Sequence, residues 1–486
     1  VGGASASSMA GSSSPAGSSA KAGSSSQGGS ALSGVGGTTT GTSTGGSSAV
    51  SSTGQGGGSA TGGAGGSGGS TRTGGSASTG SVGGVTSVDA GVDGSTGVPR
   101  PDASAGGKVA CSAPAACIDF TNLSQEIDGF GASSAGHGLL GTAELDAAFK
   151  NDTNKQLGLS ILRVEIRVAG ESDWVNEKAN ATNAKARGTK FVLATPWSPP
   201  ASLKTNKNEV AGELATSSYA DYATYLKSFK TYMGSAVDII SVQNEPNIKV
   251  DYVSCSWNPT QIFNFVKNNG GDVGVPLMIP ETSYPDTGYS DPVLNDATAA
   301  SHIGYIGMHL YGGQIKPYTL AIQKQKRVWM TEHLFDPEDI GTMMSMGKEI
   351  MECMNAQMNG YVWWYLRTPN CNLVTSSGGI TNKGYVMGQF SKFVRPGAFR
   401  VNTTYQIQNN VNVQAYAGEK NVIVVLNRGT SSVTQTFTIV SGSFANVKRT
   451  TTSNTKKLAD DGAVTLTNSS FIATLDPQSI TTFVGE

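Results

Sequence analysis

From about Ile127 onward, short apolar runs of strand character alternate with longer stretches of helical periodicity. This alternation constrains the fold more than any other feature, because strands separated by crossover helices pair in parallel. The runs 159–166, 190–195, 237–242, 303–309, 328–331 and 360–365 read as buried strands, and 219–232, 260–268 and 342–358 as amphipathic helices. Repeated over about 270 residues, the pattern suits a (β/α)8 barrel. A doubly wound α/β sheet would carry a Gly-rich phosphate turn after its first strand, and no convincing one is present. After about Pro396 the helical periodicity stops. The segments 411–417, 422–426, 433–439 and 480–484 are short alternating strands broken by Gly, Asn and Ser turns, which predicts a β-sandwich. An earlier stretch, 116–120 with 125–127, reads as a strand pair able to join it. The predicted organisation is a linker over 1–107, N-terminal strands over 108–127, the barrel over 128–395 and the sandwich over 396–486.

Residues 1–107 are almost entirely Gly, Ser, Thr and Ala. Such a stretch buries too little apolar surface to offset its ordering entropy, so a disordered, flexible tether is expected there. Net charge is −1, from 34 basic and 35 acidic residues. With no basic blocks, neither nucleic acid nor an anionic membrane is the expected partner, and no apolar run reaches the length of about 18 residues that a membrane span requires. The chain opens at Val1 with neither Met nor a signal peptide, so a processed or trimmed form is expected. An extracellular setting, tethered to a cell surface through the linker, is the corresponding expectation. Of the five cysteines, Cys111 and Cys117 bracket a short loop and could bridge locally. Secretion-compatible bridging with one thiol left over is the expectation for Cys111, Cys117, Cys255, Cys353 and Cys371, buried free thiols being the alternative. No metal-ligand spacing occurs, so no metal and no cofactor are expected.

In a barrel, reactive side chains sit where strands run into their C-terminal loops. Ser241-Val242-Gln243-Asn244-Glu245-Pro246 ends one predicted strand with an acid, and Trp329-Met330-Thr331-Glu332-His333 ends another. Two carboxylates flanking one bond, one protonated and one ionised, are what glycosidic cleavage needs. Asn244 is of the right type to hold a sugar 2-hydroxyl beside the acid.

Ordered motifs run through the folded region: Ile127-Asp-Gly-Phe-Gly-Ala132, Thr195-Pro-Trp-Ser-Pro-Pro200, Ser241-Val-Gln-Asn-Glu-Pro246, His309-Leu-Tyr-Gly312, Trp329-Met-Thr-Glu332, Tyr361-Val-Trp-Trp-Tyr365, Phe390-Ser-Lys-Phe-Val-Arg-Pro-Gly397 and Gln478-Ser-Ile-Thr-Thr-Phe-Val484. In these the region resembles glycoside hydrolase family 30, and within it the bacterial glucuronoxylanase-like xylanases. The resemblance leaves out the N-terminal linker. It implies a (β/α)8 barrel with a β-sandwich built from both ends of the folded region; the expected partner is xylan or a related plant cell-wall polysaccharide, and the expected state a monomer. By the same resemblance Glu245 is the acid/base and Glu332 the nucleophile, Asn244 contacts the 2-hydroxyl, Tyr311 hydrogen-bonds the nucleophile and Arg163 keeps it ionised. Trp197, Trp257 and Trp364 match cleft positions as sugar platforms, with Trp363 expected in the core.

The chain departs from those relatives at the glucuronate contacts. Thr368 stands where they carry a carboxylate-clamping Arg, Asn370 where they carry a Tyr, and Phe335 where a second Tyr follows the nucleophile. Losing a bidentate charge-assisted pair removes a strong specific contact, so the glucuronate requirement is expected to be relaxed. Arg367 is the one candidate substitute, though Pro369 alters the loop path. Ser202 replaces an aromatic at the cleft rim of some relatives. The alternatives are another activity of the family (xylobiohydrolase, β-1,6-glucanase or galactanase) or a non-catalytic carbohydrate-binding protein.

Overall fold

The computed structural model describes residues 108–369 and 371–485. The expected linker over 1–107 and the departure at Asn370 lie outside the described residues. A long first strand, β1 (Ala116–Glu126), precedes the eight barrel strands. These are β2 (Gly129–Ser133), β3 (Ile161–Ile166), β4 (Phe191–Pro196), β5 (Ile239–Ser241), β6 (Leu277–Thr282), β7 (Ile303–His309), β8 (Arg327–Glu332) and β9 (Gly360–Trp363). Each pairs in parallel with the next, and β9 closes on β2. Strands buried on both faces read as near-continuous apolar runs, which is why β3, β4 and β7 were legible. β6 is wholly buried too, but Pro280 and Glu281 interrupt its run and hid it.

Two-residue alternation sorts the side chains. In β3, Leu162, Val164 and Ile166 join the core under the outer helices, whereas Ile161 joins the barrel interior with Leu193, Ile239, Met278, Trp329 and Val362. That apolar plug fills the lower barrel and leaves its upper mouth to polar groups. Outside, helix Tyr219–Met233 buries Tyr222, Ala223, Leu226, Phe229 and Met233 along one stripe. Helix Pro259–Asn269 opens on a capping box, Asn258 accepting from the Gln261 N–H and Gln261 from that of Asn258.

The remaining strands are β10 (Phe399–Thr403), β11 (Gln406–Gln408), β12 (Val411–Ala417), β13 (Asn421–Asn427), β14 (Val433–Ser441), β15 (Val447–Thr452), β16 (Ala459–Val464), β17 (Ser470–Leu475) and β18 (Ser479–Gly485). With β1 they form one continuous sheet that folds over on its own apolar face: Phe437 and Phe471 on β14 and β17 meet Phe483 on β18 at 5.5 and 5.1 Å. The stretch read as a strand pair is the single strand β1, bulged twice against β10 and parallel to β14. The sheet is locked to the barrel through its last helices. Gln414 Nε2 donates to the Met351 carbonyl at 2.6 Å, and Thr482 Oγ1 to that of Gln389 at 2.9 Å.

Cysteine usage corrects the bridging expectation. Cys111 and Cys117 form a disulfide, but Cys255, Cys353 and Cys371 are all free and buried. Each packs as a small apolar residue, and Cys371 faces the Thr368 hydroxyl at 3.2 Å.

Candidate active site

The upper mouth of the barrel is organised around Arg163, which is wholly buried at the middle of β3. Its Nε lies 3.2 Å from both Thr195 Oγ1 and Glu281 Oε1. Nη1 donates to Glu332 Oε2 at 2.5 Å and Nη2 to Asn244 Oδ1 at 2.7 Å. One guanidinium thus aligns groups from four other strand ends, a task its planar five-donor fork suits. Glu332 is the last residue of β8 and accepts from Tyr311 Oη at 2.9 Å. Glu245 follows β5 at φ +45°, its N–H donating to the Glu281 carbonyl at 2.9 Å. Its carboxylate faces His309 Nδ1 at 3.0 Å and accepts from Tyr252 Oη at 3.2 Å. One oxygen of Glu245, one of Glu332 and a ring nitrogen of His309 lie within 4.8 Å of one another.

Strict alternation along β8 would send Thr331 inward with Trp329 and turn Glu332 away. The pairing of β7 with β8 slips between Met308 and His309, so that His309 stands opposite Glu332, and the pairing of β6 with β7 slips between Pro280 and Thr282. Such irregularities re-aim side chains beside active sites. They bring His309, Glu281 and Glu332 into one layer.

Arg163 favours the ionised form of Glu332, as its expected role requires, but other groups act on both carboxyls. Burial, foremost, and the Glu245 charge raise the Glu332 carboxyl above its ordinary value, against the pull of His309 and Arg163. Burial works to raise Glu245 too, but the hydrogen bond and charge of His309, with hydrogen bonds to Ser283 and Tyr252, bring it below. Glu281 overcomes burial through Arg163 and His309 and falls to about 2. His309, whose charge burial opposes, is lifted to about 9 by Glu332, Glu245 and Glu281. Glu245 and His309, in hydrogen-bond contact and shifted in opposite directions, titrate as a pair. The three groups within 4.8 Å could bracket a small cation, yet Arg163, Tyr311 and Tyr252 already occupy the carboxylate oxygens with hydrogen bonds, as suits an acid–base pair.

Trp197 and Trp364 are half-buried and flank the guanidinium, whose carbon lies 4.8 and 5.7 Å from their ring centroids. Trp363 is core. Trp257 corrects the platform expectation: it is 3% exposed, packed among Tyr219, Tyr222 and Phe265. Its Nε1–H donates to Gln243 Oε1 at 3.3 Å, so it braces the Asn244–Glu245 turn from behind and offers sugar no face. Arg367 is also committed elsewhere, with Nε 2.9 Å from Glu144 Oε1 and Nη2 donating to the His137 carbonyl at 3.2 Å. Phe335 packs edge-on to His333, and Ser202 is exposed. His309, Glu281 and Tyr252 join the site without an expected role. His309 closes a predicted strand, the same positional signal that picked out Glu245; Glu281 was hidden with its strand, and Tyr252 lies in a loop without any signal.

No family model matches the chain. The chain is 35% identical over 388 residues to glucuronoxylanase XynC of Bacillus subtilis strain 168, covering 76% of this chain and 90% of that one. Its fold superposes on the glycoside hydrolase family 30 subfamily 8 xylanase Xyn30A from Clostridium acetobutylicum with a TM-score of 0.74 at 40% identity, over 77% of this chain and all of that one. A family 30 endoxylanase from Clostridium papyrosolvens C71 gives 0.71 at 40% identity, over 76% of this chain and all of that one. With this similarity, and two carboxylates meeting at the mouth of a closed barrel, the chain belongs to glycoside hydrolase family 30, as a xylanase-like glycosidase.

Proposed function

We propose that the protein is a retaining endo-β-1,4-xylanase that does not require glucuronate side groups. The observation that carries this reading is that a carboxylate oxygen of Glu245 lies within 4.8 Å of one of Glu332. A retaining enzyme sets its carboxylates about 5–5.5 Å apart so that one can attack the anomeric carbon directly; an inverting one leaves about 6.5–9.5 Å for a water. Glu332 attacks the anomeric carbon while Glu245 protonates the departing oxygen. Glu245 then takes a proton from the water that opens the glycosyl-enzyme. Arg163 and Tyr311 orient the attacking carboxylate, and Asn244, itself fixed by Arg163, is placed to hold the 2-hydroxyl.

Relaxed side-group dependence is supported by where the loop side chains are spent. The Thr368 hydroxyl faces Cys371 Sγ and accepts from the Cys371 N–H within its own turn. Among the described residues of this loop, the Arg367 cation is already paired with Glu144. The low-complexity segment 1–107 fits an extracellular tether. Product analysis on glucuronoxylan and on undecorated xylan, with Glu332→Gln as the blank, tests the reading. Comparable hydrolysis of both with first release of the β-anomer is expected. Cleavage confined to glucuronoxylan refutes the side-group reading, and first release of the α-anomer refutes retention.

A further inference from the structure

Glu281 takes no part in the two-carboxylate chemistry, yet the fold goes to some length to bury its charge. It sits at φ +48° in β6, 0% exposed. Thr195 Oγ1 donates to Oε2 at 2.9 Å, and Arg163 Nε lies 3.2 Å from Oε1. Room for it is made by Gly307, where a Cβ would come within 2.7 Å of Glu281 Cγ. On the neighbouring strand β7, His309 is wholly buried. Its Nδ1 faces Glu245 Oε1 at 3.0 Å, and its Nε2 lies 3.7 Å from Glu332 Oε2 and 3.9 Å from Glu281 Oε1, beyond hydrogen-bond reach of both. The other ionisable groups facing this pair are Arg163 from β3, Tyr311 on the loop after β7, and Tyr252 on the far side of Glu245.

We propose, resting on the acid/base role of Glu245, that Glu281 is a positioning residue: its buried carboxylate keeps His309 protonated at Nε2, so that the proton at Nδ1 is shared with Glu245 and available to the leaving oxygen. The proton count follows from the tautomers. With Nε2–H held on the Glu281 and Glu332 side, the single proton between Nδ1 and Oε1 is the one Glu245 delivers when the glycosidic bond breaks. Delivery leaves a bare Nδ1 facing an anionic carboxylate, which makes the pair a strong base for the water of the second step. With a neutral residue at 281, His309 can carry its only proton at Nδ1, donating to an already ionised Glu245 that has nothing to give.

The test is Glu281→Gln, with Glu281→Asp as the charge-conserving control, in two assays. The first compares pH profiles of kcat/KM on xylan and on a dinitrophenyl β-xylobioside, whose leaving group needs no acid. In Glu281→Gln the basic limb on xylan is expected to fall by roughly one pH unit or more, because a buried negative charge has gone. At pH 7 the loss on xylan should exceed the loss on the aryl substrate by about tenfold or more, with Glu281→Asp in between. Equal losses on both substrates with an unmoved basic limb overturn the proposal in favour of mere support of Arg163. The second assay needs no substrate. The chain has four histidines, so 15N spectra of the imidazoles, assigned with His309→Asn, read the His309 tautomer directly. Nε2 protonated through neutral pH in the wild type, and Nδ1 favoured in Glu281→Gln, are expected. A wild-type Nε2 without a proton overturns the proposal whatever the substrate proves to be. Failure of the wild type on both xylan and the xylobioside would instead remove the xylanase reading and leave this assay to decide.

Discussion

Glu177 offers a stability test independent of catalysis. It lies on the inner face of helix Glu171–Lys185, 1% exposed, and the cation paired with it, Arg167, brings its Nε only to 3.6 Å. That guanidinium is shared with Glu165, 3.1 Å from Nη2. Burial, and then the Glu165 charge, push the Glu177 carboxyl from 4.5 to about 8, only partly offset by Arg167. The folded value is above the unfolded one, so between pH 4.5 and about 8 the folded state keeps a proton that the unfolded chain has lost. Stability from this group is therefore fully present below pH 4.5 and declines as pH rises towards 8. Each pH unit in that window is worth about 1.4 kcal/mol, which sets a ceiling of about 5 kcal/mol; relaxation around a buried carboxylate leaves a few kcal/mol as the working figure. Glu177→Gln keeps the shape and removes the titration. Denaturant unfolding followed by tryptophan fluorescence suits the site, because Trp174 is buried on the same helix. The variant should match the wild type near pH 5 and exceed it by roughly 2–4 kcal/mol at pH 8. Parallel stability curves from pH 5 to 9 would refute the argument that Glu177 is held neutral.

Trp257→Ala should destabilise by about 3–5 kcal/mol through the cavity left among its aromatic neighbours, whereas Trp364→Ala should leave the melting temperature nearly unchanged and raise KM; thermal unfolding and xylan kinetics check both. Arg163→Met strips Glu281 and Glu332 of their shared cation, so a loss of about 3–5 kcal/mol in stability is expected with hydrolysis at background, read by unfolding and by reducing-sugar release. Cys255, Cys353 and Cys371 should be silent to a thiol reagent in the native protein, and three thiols should react on unfolding without reductant; fast native labelling would contradict their burial.

The barrel was legible because parallel strands covered on both sides must be apolar throughout, and helices that pack on one face must repeat every 3.6 residues. Both are local patterns, so strands β3, β4, β7 and β8 and the helix around Leu226 could be read directly. Glu245 and Glu332 were legible for a related reason: each is an acid at the end of such a run. β6 was not, because Pro280 and Glu281 break its apolar pattern at the position the site uses. Nor were β15 and β16, whose Thr, Lys and Asp residues carry little apolar signal. Trp257 shows the limit most clearly, since a tryptophan in a loop beside a cleft motif looks the same whether its ring faces sugar or core. Sequence alone determined the alternation of strands and helices and which strand ends carry acids. Only the tertiary structure decided which charged groups meet, because Arg163, Glu281, His309 and Glu245 come from separate strands. Their charges are set by distances of 3–4 Å that arise only once the barrel closes and water is excluded.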